Sequence, residues 1–438
     1  MSEGKIVVGL DIGTSKIVTV IAKIEEGVVN VLGVSEIGAS GIKKGQIVDI
    51  EEAVVAMNKS LEGAERMAGY SVSKIVVSIG GAHIECLNSR GVVAISTPQG
   101  EIAQSDITRV IEAAKAISLS SSREIIHVLP RNYTVDGQEG IKDPIGMTGV
   151  RLEVDTHIIT SGSTSIHNLE KALSEVGVDI DGIVFNGYAN SLSVLSETEK
   201  ELGVVLVDIG AGTTSICVYV EGSLSYSSVL AIGARHITND LAIGLRISLE
   251  SAEKIKLFLS QSQKTRTLHP EDSLQLIEKP VTVVSREKAD EIDVGMLNLP
   301  EELRKVSKKT LIEGIIKPRL NEIFTMVGLE IKKSGFAGQT PAGLVVTGGG
   351  ARTIGVQESA KRMLAMPVRI GAPTGMKGII DEIQDTPFAT VVGLVMYGAR
   401  ITTSSSFPFS VSLSRFSNII PSGRVFKKII DIIKSFIP

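Results

Sequence analysis

At 438 residues the chain is long enough for about two to four domains, and a hydrophobic fraction of 43% supports ordinary packed cores. Its 49 acids against 45 bases leave a formal charge of −4, and with no tryptophan and no aromatic-basic stripe it carries no footprint for nucleic acid. Cys86 and Cys217 lack partner spacing, so they read as buried thiols in a reducing compartment; a cleavable leader and an apolar run of roughly 20 residues are both missing, which points to the cytoplasm.

In chain order the first signal is Val7-Val8-Gly9-Leu10-Asp11-Ile12-Gly13-Thr14-Ser15-Lys16-Ile17-Val18-Thr19-Val20. Two β-branched runs flank an acid and a glycine-hydroxyl turn, which predicts a hairpin whose tip turns bare backbone N–H groups toward an anion. Asp11 stands at the strand end, and its counterpart Asp208 in the later repeat, also at a strand end, is placed to hold a metal-bound water. Taken alone, a glycine-rich turn between buried strands is mostly just a turn. A strand over Val28 to Ile37 follows, then a polar turn at Ser40 to Gly45 and a helix from Ile50 to Ala68. The apolar positions Val54, Met57, Leu61, Ala64 and Ala68 of that helix share one face. Lys74 to Ile79 reads as a buried strand.

From about His83 to Thr160 the texture changes to short strands (Val92 to Ser96, Ile125 to Leu129) and one helix from about Asp106 to Ile117, capped by Ser105-Asp106. This is the pattern of an inserted small α/β domain, with no acid pair or histidine cluster for catalysis, and its expected role is contact with partners. A helix from Ser163 or Thr164 to about Val176 leads through a strand (Val178 to Phe185) into Asn186-Gly187-Tyr188-Ala189-Asn190-Ser191 and a further helix.

Leu206-Val207-Asp208-Ile209-Gly210-Ala211-Gly212-Thr213-Thr214-Ser215, continuing to Val220, repeats the grammar of the first hairpin, with its aspartate 197 residues after Asp11. The repeat implies two similar halves that face one ligand, a polyphosphate gripped from both sides. Next come a strand (Leu224 to Ala231), a turn at Gly233-Ala234-Arg235, a helix from Ile237 to about Gly244 and a helix from Ser248 to Leu259 with Ile255, Phe258 and Leu259 inward. Glu253 and Lys256 share another face of the last helix, as a solvated ion pair or as a nucleoside contact. Residues 261–300 read as a polar small domain with weak strands, and about Glu301 to Leu329 as a long helix bent at Pro318.

Leu344-Val345-Val346-Thr347-Gly348-Gly349-Gly350-Ala351-Arg352 is a buried strand that ends in three glycines; a planar base lying against the turn and a plain strand-to-helix turn both suit it. Thr386-Pro387 opens a helix whose Ala389, Gly393 and Gly398 allow close packing. The six histidines are scattered without ligand spacing. Residues 401–423 form a serine-rich linker. In the last segment, 424–438, Val425, Phe426, Ile429, Ile430, Ile432, Ile433, Phe436 and Ile437 fall within an arc of about 160° on a helical wheel. Arg424, Lys427, Lys428, Asp431, Lys434 and Ser435 fill the other side. Such a helix either docks on the protein's own core or lies in a membrane interface, and its four bases against one acid favour the membrane.

Taken together, the two Asp-Ile-Gly hairpins, the Val-Thr-Gly-Gly-Gly strand end, the inserted domain and the amphipathic tail resemble the FtsA family of bacterial cell-division proteins, over essentially the whole chain. The resemblance implies an α/β actin-like fold of two RNase H-like domains with ATP and Mg²⁺ between them. The first domain (1A) would span 1–82 and be completed by about 381–400, the inserted subdomain 1C 83–162, the second domain (2A) 163–245 and 320–380, and subdomain 2B 246–319. By motif, Asp11, Gly13, Thr14, Ser15 and Lys16 resemble the first phosphate loop, and Asp208, Gly210, Gly212, Thr213 and Thr214 the second, with both aspartates holding Mg²⁺ through water. Gly348, Gly349, Gly350 and Arg352 resemble the adenosine motif, and Glu253 and Lys256 the ribose and adenine contacts. It further implies self-association into actin-like filaments, attachment to inner-membrane lipid at the division site through Val425, Phe426, Lys427, Lys428, Ile429, Ile430, Ile433, Lys434 and Phe436, binding of the FtsZ C-terminal tail and recruitment of later divisome proteins.

One departure bears on catalysis. Actin-like ATPases offer a Gln or Glu before the second hairpin to orient the attacking water, where this chain has Asn186, so at most a slow ATPase is expected. Two other memberships keep the same fold: a pilus-assembly protein of the PilM kind, which lacks the tail, and a kinase, which needs an acidic general base.

Overall fold

The protein is described by a computed structural model covering residues 4–96, 100–267, 290–301, 303–378 and 383–403. The first half opens with β1 (Lys5–Ile12), β2 (Lys16–Glu25) and β3 (Val28–Gly38), an antiparallel meander. A two-residue-strand hairpin follows, β4 (Ile42–Lys43) and β5 (Gln46–Ile47). Helix α1 (Ile50–Ala68) is capped by Asp49, whose carboxylate accepts the Glu52 N–H at 3.0 Å, and is ended by Gly69 at φ 63°. It buries Ala53, Ala56, Met57, Ser60, Leu61 and Ala64, and β6 (Lys74–Ile79) then runs parallel to β1.

The insert is larger in strand content than its sequence suggests. β7 (Glu85–Ala94), α2 (Gln104–Lys115), β8 (Arg123–Val135), β9 (Gln138–Ile141) and β10 (Arg151–Gly162) build a four-stranded antiparallel sheet in the order β7-β10-β8-β9. The short strands expected over Val92 to Ser96 and Ile125 to Leu129 are thus corrected to long ones. Polar interiors hide them: β10 buries Glu153, Thr156, His157, Thr160 and Ser161, and β8 carries Pro130 at a register shift opposite Asp155 and Thr156. Helix α2 begins two residues earlier than expected, with Asp106 accepting the Ala103 N–H from inside the first turn. Two buried histidines join the insert to the body. The Phe185 N–H donates to His127 Nε2 at 3.0 Å, and His157 bridges Asn88 and Ser227 at 2.8 and 2.6 Å. Burial holds both imidazoles neutral, down to about 3.

The second half begins after α3 (Ser163–Val176), β11 (Asp179–Phe185), α4 (Asn186–Val194) and α5 (Glu197–Leu202). β12 (Val204–Ile209), β13 (Thr214–Val220) and β14 (Ser223–Leu230) repeat the opening meander. Helices α6 (Ala234–Leu245) and α7 (Leu249–Thr267) both outrun their expected bounds. β15 (Glu291–Asp293), within the expected polar small domain, pairs with β16 (Lys305–Ser307), which lies where the long helix is expected. The long helix starts at Lys308 rather than Glu301: α8 (Lys308–Leu311), a π turn over Ile312–Ile316, and α9 (Lys317–Lys333). Pro318 sits in the first turn of α9, immediately after the π turn, where its missing N–H is accommodated. β17 (Leu344–Thr347), α10 (Val356–Leu364), β18 (Val368–Ile370), β19 (Lys377–Gly378) and α11 (Ala389–Thr403) complete the described chain.

The two main sheets share one plan. The first runs β11-β6-β1-β2-β3-β19 and the second β14-β13-β12-β17-β18. In each, a three-strand meander is extended by two parallel strands on the side of its first strand, so β1 corresponds to β12 and β6 to β17. This is the doubled architecture that the repeated hairpins predict. A shared core of Leu10, Ile17, Met57 and Phe185 with Val204, Leu206 and Cys217 joins the two halves, while Val391, Val392 and Val395 of α11 seal the other face of the first sheet. The small residues of α11 do allow close approach: a Cβ on Gly393 would lie 1.9 Å from the Ala189 carbonyl oxygen in α4. No helix among the described residues is long and apolar enough to cross a membrane. Residues 401–403, expected in the linker, instead complete α11, because the helix that opens after Pro387 continues to Thr403; the rest of the linker, 404–423, and the amphipathic segment 424–438 lie outside the described residues.

Candidate functional site

Both hairpins close in the same way. The Gly13 N–H donates to the Lys16 carbonyl at 3.0 Å, and the Gly210 N–H to the Thr213 carbonyl at 2.9 Å. Asp11 and Asp208 each stand one residue before the end of their strand, opposite Val18 and Ser215. The tips touch. A Cβ added to Gly212 would lie 2.9 Å from both Oγ1 and Cγ2 of Thr14, so only a glycine leaves the second tip room against the first.

The two carboxyl groups are anchored differently. Asp11 Oδ1 accepts from the Ser78 hydroxyl at 2.7 Å, and Ser78 Oγ in turn accepts the Ile12 N–H at 2.9 Å. Asp208 Oδ2 accepts from Asn190 Nδ2 at 2.9 Å, and Asn190 Oδ1 accepts from the Thr390 hydroxyl at 3.0 Å. Burial pushes Asp208 up to about 7, and the charge of Asp11 adds to the rise. Burial likewise raises Asp11, opposed by the Ser78 hydroxyl and the Lys16 charge. Two acids that disfavour each other's ionisation beside an anion cradle make a place for a cation. Among the described residues no group of three or more His, Cys, Asp or Glu could enclose a metal. A cation held by these two carboxylates would take most of its ligands from water and from a bound anion, as Mg²⁺ does.

The glycine turn packs on the second hairpin. Thr347 stands opposite Asp208 in the parallel β12–β17 pair, with its hydroxyl buried and without a partner in the structure. Gly348 adopts φ +84°, and a Cβ there would lie 2.0 Å from Asp208 Oδ1, while Gly349 faces open space. A short 3₁₀ turn, Gly349–Arg352, then leads toward α10.

The cations expected at the site are paired with acids. Lys16 Nζ lies 2.6 Å from Glu36 and 4.1 Å from the centroid of the Phe388 ring, and Arg352 pairs with Asp385 at 2.9 Å. Lys256 Nζ contacts Glu253 at 2.7 Å and Thr238 Oγ1 at 2.8 Å, with its own side chain 8% exposed, so the solvated-pair reading is corrected: the lysine is buried. This pair reaches the second hairpin through α6, whose Ala234 and Arg235 N–H groups donate to the Gly210 and Ala211 carbonyls at 2.9 Å. Ser15 is exposed, with its carbonyl accepting the Ala39 N–H, and the Thr214 hydroxyl is turned to the Ile232 carbonyl at 2.8 Å. Thr213 is buried in the turn.

Asn186 stands between the halves, its Oδ1 accepting from the Gly187 N–H at 2.9 Å and from Ser215 Oγ at 3.1 Å. An acceptor already used twice does not orient a water. The polar turn at Ser40 to Gly45 reads in sequence as a connection only, yet its Gly45 N–H donates to Thr14 Oγ1 at 3.1 Å, which brings β4 and β5 into the site. Asn190 also escapes a sequence reading; four residues past Asn186 on a helix, it carries no motif of its own.

Residues 81–160 match the family described as "SHS2 domain inserted in FTSA", and residues 205–393 the family "Cell division protein FtsA". The chain is 36% identical to Cell division protein FtsA of Pseudomonas aeruginosa, over 98% of this chain and 97% of that one. The chain belongs to the FtsA family. It is also 37% identical to Cell division protein FtsA of Borreliella burgdorferi over 90% of each chain, and 33% identical to that of Escherichia coli over 91% of each. Among solved structures it is similar to a PilM-PilN type IV pilus biogenesis complex, with a TM-score of 0.61 at 14% identity, covering 90% of this chain and 98% of that one. MreB5 of Spiroplasma citri bound to ADP follows, with a TM-score of 0.51 at 13% identity, covering 91% and 98%. At such identities the likeness is one of fold, the actin-like fold, and FtsA membership assigns the chain an actin-like role in cell division.

Proposed function

We propose that this FtsA-family chain binds ATP with Mg²⁺ between its two halves and serves as a membrane-attached scaffold, polymerising like actin, tethering FtsZ filaments by their C-terminal tail and recruiting later divisome proteins. The observation that carries the nucleotide reading is the contact of the two hairpin tips at Gly212 and Thr14, with Asp11 and Asp208 set behind them. Thr14 and Ser15 in the first turn and Gly212 and Thr213 in the second, inside the bonds that close each hairpin at Gly13 and Gly210, would present backbone N–H groups to the phosphates, Asp11 and Asp208 would hold Mg²⁺ through water, and Gly348 to Gly350 would receive the adenosine. Solved structures of Spiroplasma citri MreB5, bound to ADP and to AMPPNP, share the fold and support a nucleotide here. Mg²⁺ would neutralise phosphate charge. With the Asn186 oxygen engaged by Gly187 and Ser215, hydrolysis is slow, and ATP serves to close the cleft and set the filament interface.

The same reading carries a domain division of 1–82 with 381–400, the insert 83–162, 163–245 with 320–380, and 246–319. Localisation on the cytoplasmic face of the inner membrane rests on the segment 424–438. Each of its basic residues adds about 1 kcal/mol near an anionic surface, while ordering a short helix offsets much of the apolar gain. One copy binds reversibly and a filament of copies firmly.

Co-sedimentation with anionic liposomes tests the tether. With ATP present, full-length protein is expected to pellet and to carry FtsZ with it, while residues 1–421 stay in the supernatant. Equal pelleting of both forms, or of neither, contradicts the tether.

A further inference from the structure

We propose that Lys44, at the tip of the β4–β5 hairpin, is a third phosphate contact, an ammonium that binds the terminal phosphate of a nucleoside triphosphate and so sets the preference for tri- over diphosphate. The inference rests on the nucleotide reading of the cleft.

The hairpin tip is lodged between the halves. A Cβ on Gly212 would lie 3.2 Å from Lys44 Cα, and one on Gly81 would lie 3.0 Å from the Lys44 carbonyl oxygen. Gly45 is fastened to Thr14 Oγ1, and a Cβ on it would lie 2.9 Å from the Gly80 carbonyl. The tip therefore touches both phosphate hairpins and the end of β6. The glycine turn suited to the base belongs to the second sheet, beside Asp208, whereas the tip lies mainly on Thr14, Gly80 and Gly81 of the first half. The phosphate it meets is the one farthest from the base.

Backbone and charge point the same way. Lys44 and Gly45 have φ of +48° and +74°, the two successive left-handed residues of a two-residue hairpin loop. That loop favours Asn-Gly or Asp-Gly, and a lysine in its first position is held there at a cost of about 1 kcal/mol. Strain of this kind gathers at binding sites. Among the cations around the cleft, Lys16, Lys256 and Arg352 are each committed to a carboxylate. Lys44 is exposed, and none of the described carboxylates forms an ion pair with it. A triphosphate brought beside Asp11 and the buried Asp208 calls for such a free cation. Arg235, whose backbone N–H bonds the Ala211 carbonyl, is the other candidate cation beside the second tip, and it lacks the left-handed backbone of Lys44.

The test is equilibrium titration of the full-length protein with ATP and with ADP, both with Mg²⁺, for the wild type, Lys44→Met, Lys44→Gly, Lys44→Arg, Lys43→Met and Arg235→Met. Lys44→Met is expected to weaken ATP binding roughly 10- to 100-fold, the worth of a charged hydrogen bond, with ADP binding changed less than about threefold. Lys44→Gly relieves the strain and is expected to melt no lower than wild type while losing ATP preference equally, which separates charge from folding. Lys44→Arg and Lys43→Met keep the preference. Unchanged ATP binding in Lys44→Met, an equal loss of ATP and ADP, or loss of preference in Arg235→Met in place of Lys44→Met overturns the assignment. A wild type that binds neither nucleotide overturns the cleft reading itself and this inference with it.

Discussion

Gly348→Ala is expected to abolish ATP binding and to lower the stability of the protein by about 3 kcal/mol. The residue sits at φ +84°, where an alanine costs about 1–2 kcal/mol on backbone grounds alone. The added methyl would also meet Asp208 Oδ1 at 2.0 Å and the Ile209 carbonyl at 2.8 Å. Relief demands that β12 and β17 part or that Asp208 swing off its bond with Asn190, and either movement displaces a group the ligand needs. Urea unfolding and ATP titration of the same preparation check both halves of the expectation. Gly349→Ala is the control: a Cβ there meets nothing within 4 Å, so it should retain the stability of the wild type. A Gly348→Ala protein with wild-type stability and affinity contradicts the packing described for this turn.

Asp208→Asn is expected to do the opposite to stability while also destroying binding. The carboxyl rises from the usual 3.8 to about 7, chiefly because it is buried and further because Asp11 faces it. Between those values the folded protein holds a proton that the unfolded chain releases. The stability this contributes is fully present below about pH 4 and is lost as pH rises through about 7, each pH unit between the two being worth about 1.4 kcal/mol. Without Mg²⁺ and nucleotide, the wild type should therefore weaken from pH 6.5 to 8 relative to Asp208→Asn and be the less stable of the two at pH 8, by a few kcal/mol. His127 and His157, held down to about 3, act with the opposite sign and only below their ordinary 6.5, so the wild-type-minus-variant difference removes them and reports on Asp208 together with its coupling to Asp11. Urea unfolding in EDTA at pH 6.5, 7.2 and 8 measures it. Parallel pH profiles for the two proteins refute the buried, like-charged pair.

The halves of this molecule are legible because each hairpin writes its strands, its acid and its turn in consecutive residues. Asp11 and Asp208 are found at equivalent positions for that reason, and α1 is readable to its ends from Asp49 and Gly69. What depends on distant partners is not. His157 and Glu153 look like surface residues until β7 and β8 flank them, so β10 is lost in a polar stretch. Lys256 looks solvated because Thr238, which helps to bury it, lies on another helix. Asn190 needs Asp208 and Thr390, from three separate segments, before it means anything. Lys44-Gly45 is within reach: a two-residue loop with lysine in the place of asparagine is a local oddity, but the reason for it lies on Thr14 and Gly212.

The central claim is that two hairpins, one from each half, share one Mg²⁺-nucleotide. Its most direct test is ATP titration of the full-length wild type, Asp11→Asn and Asp208→Asn, each with Mg²⁺ and with EDTA. We expect Mg²⁺-dependent binding in the wild type and its loss in both variants, since either aspartate alone leaves the cation half held. Binding that ignores Mg²⁺, or that survives in either variant at wild-type affinity, would contradict a site built from both halves.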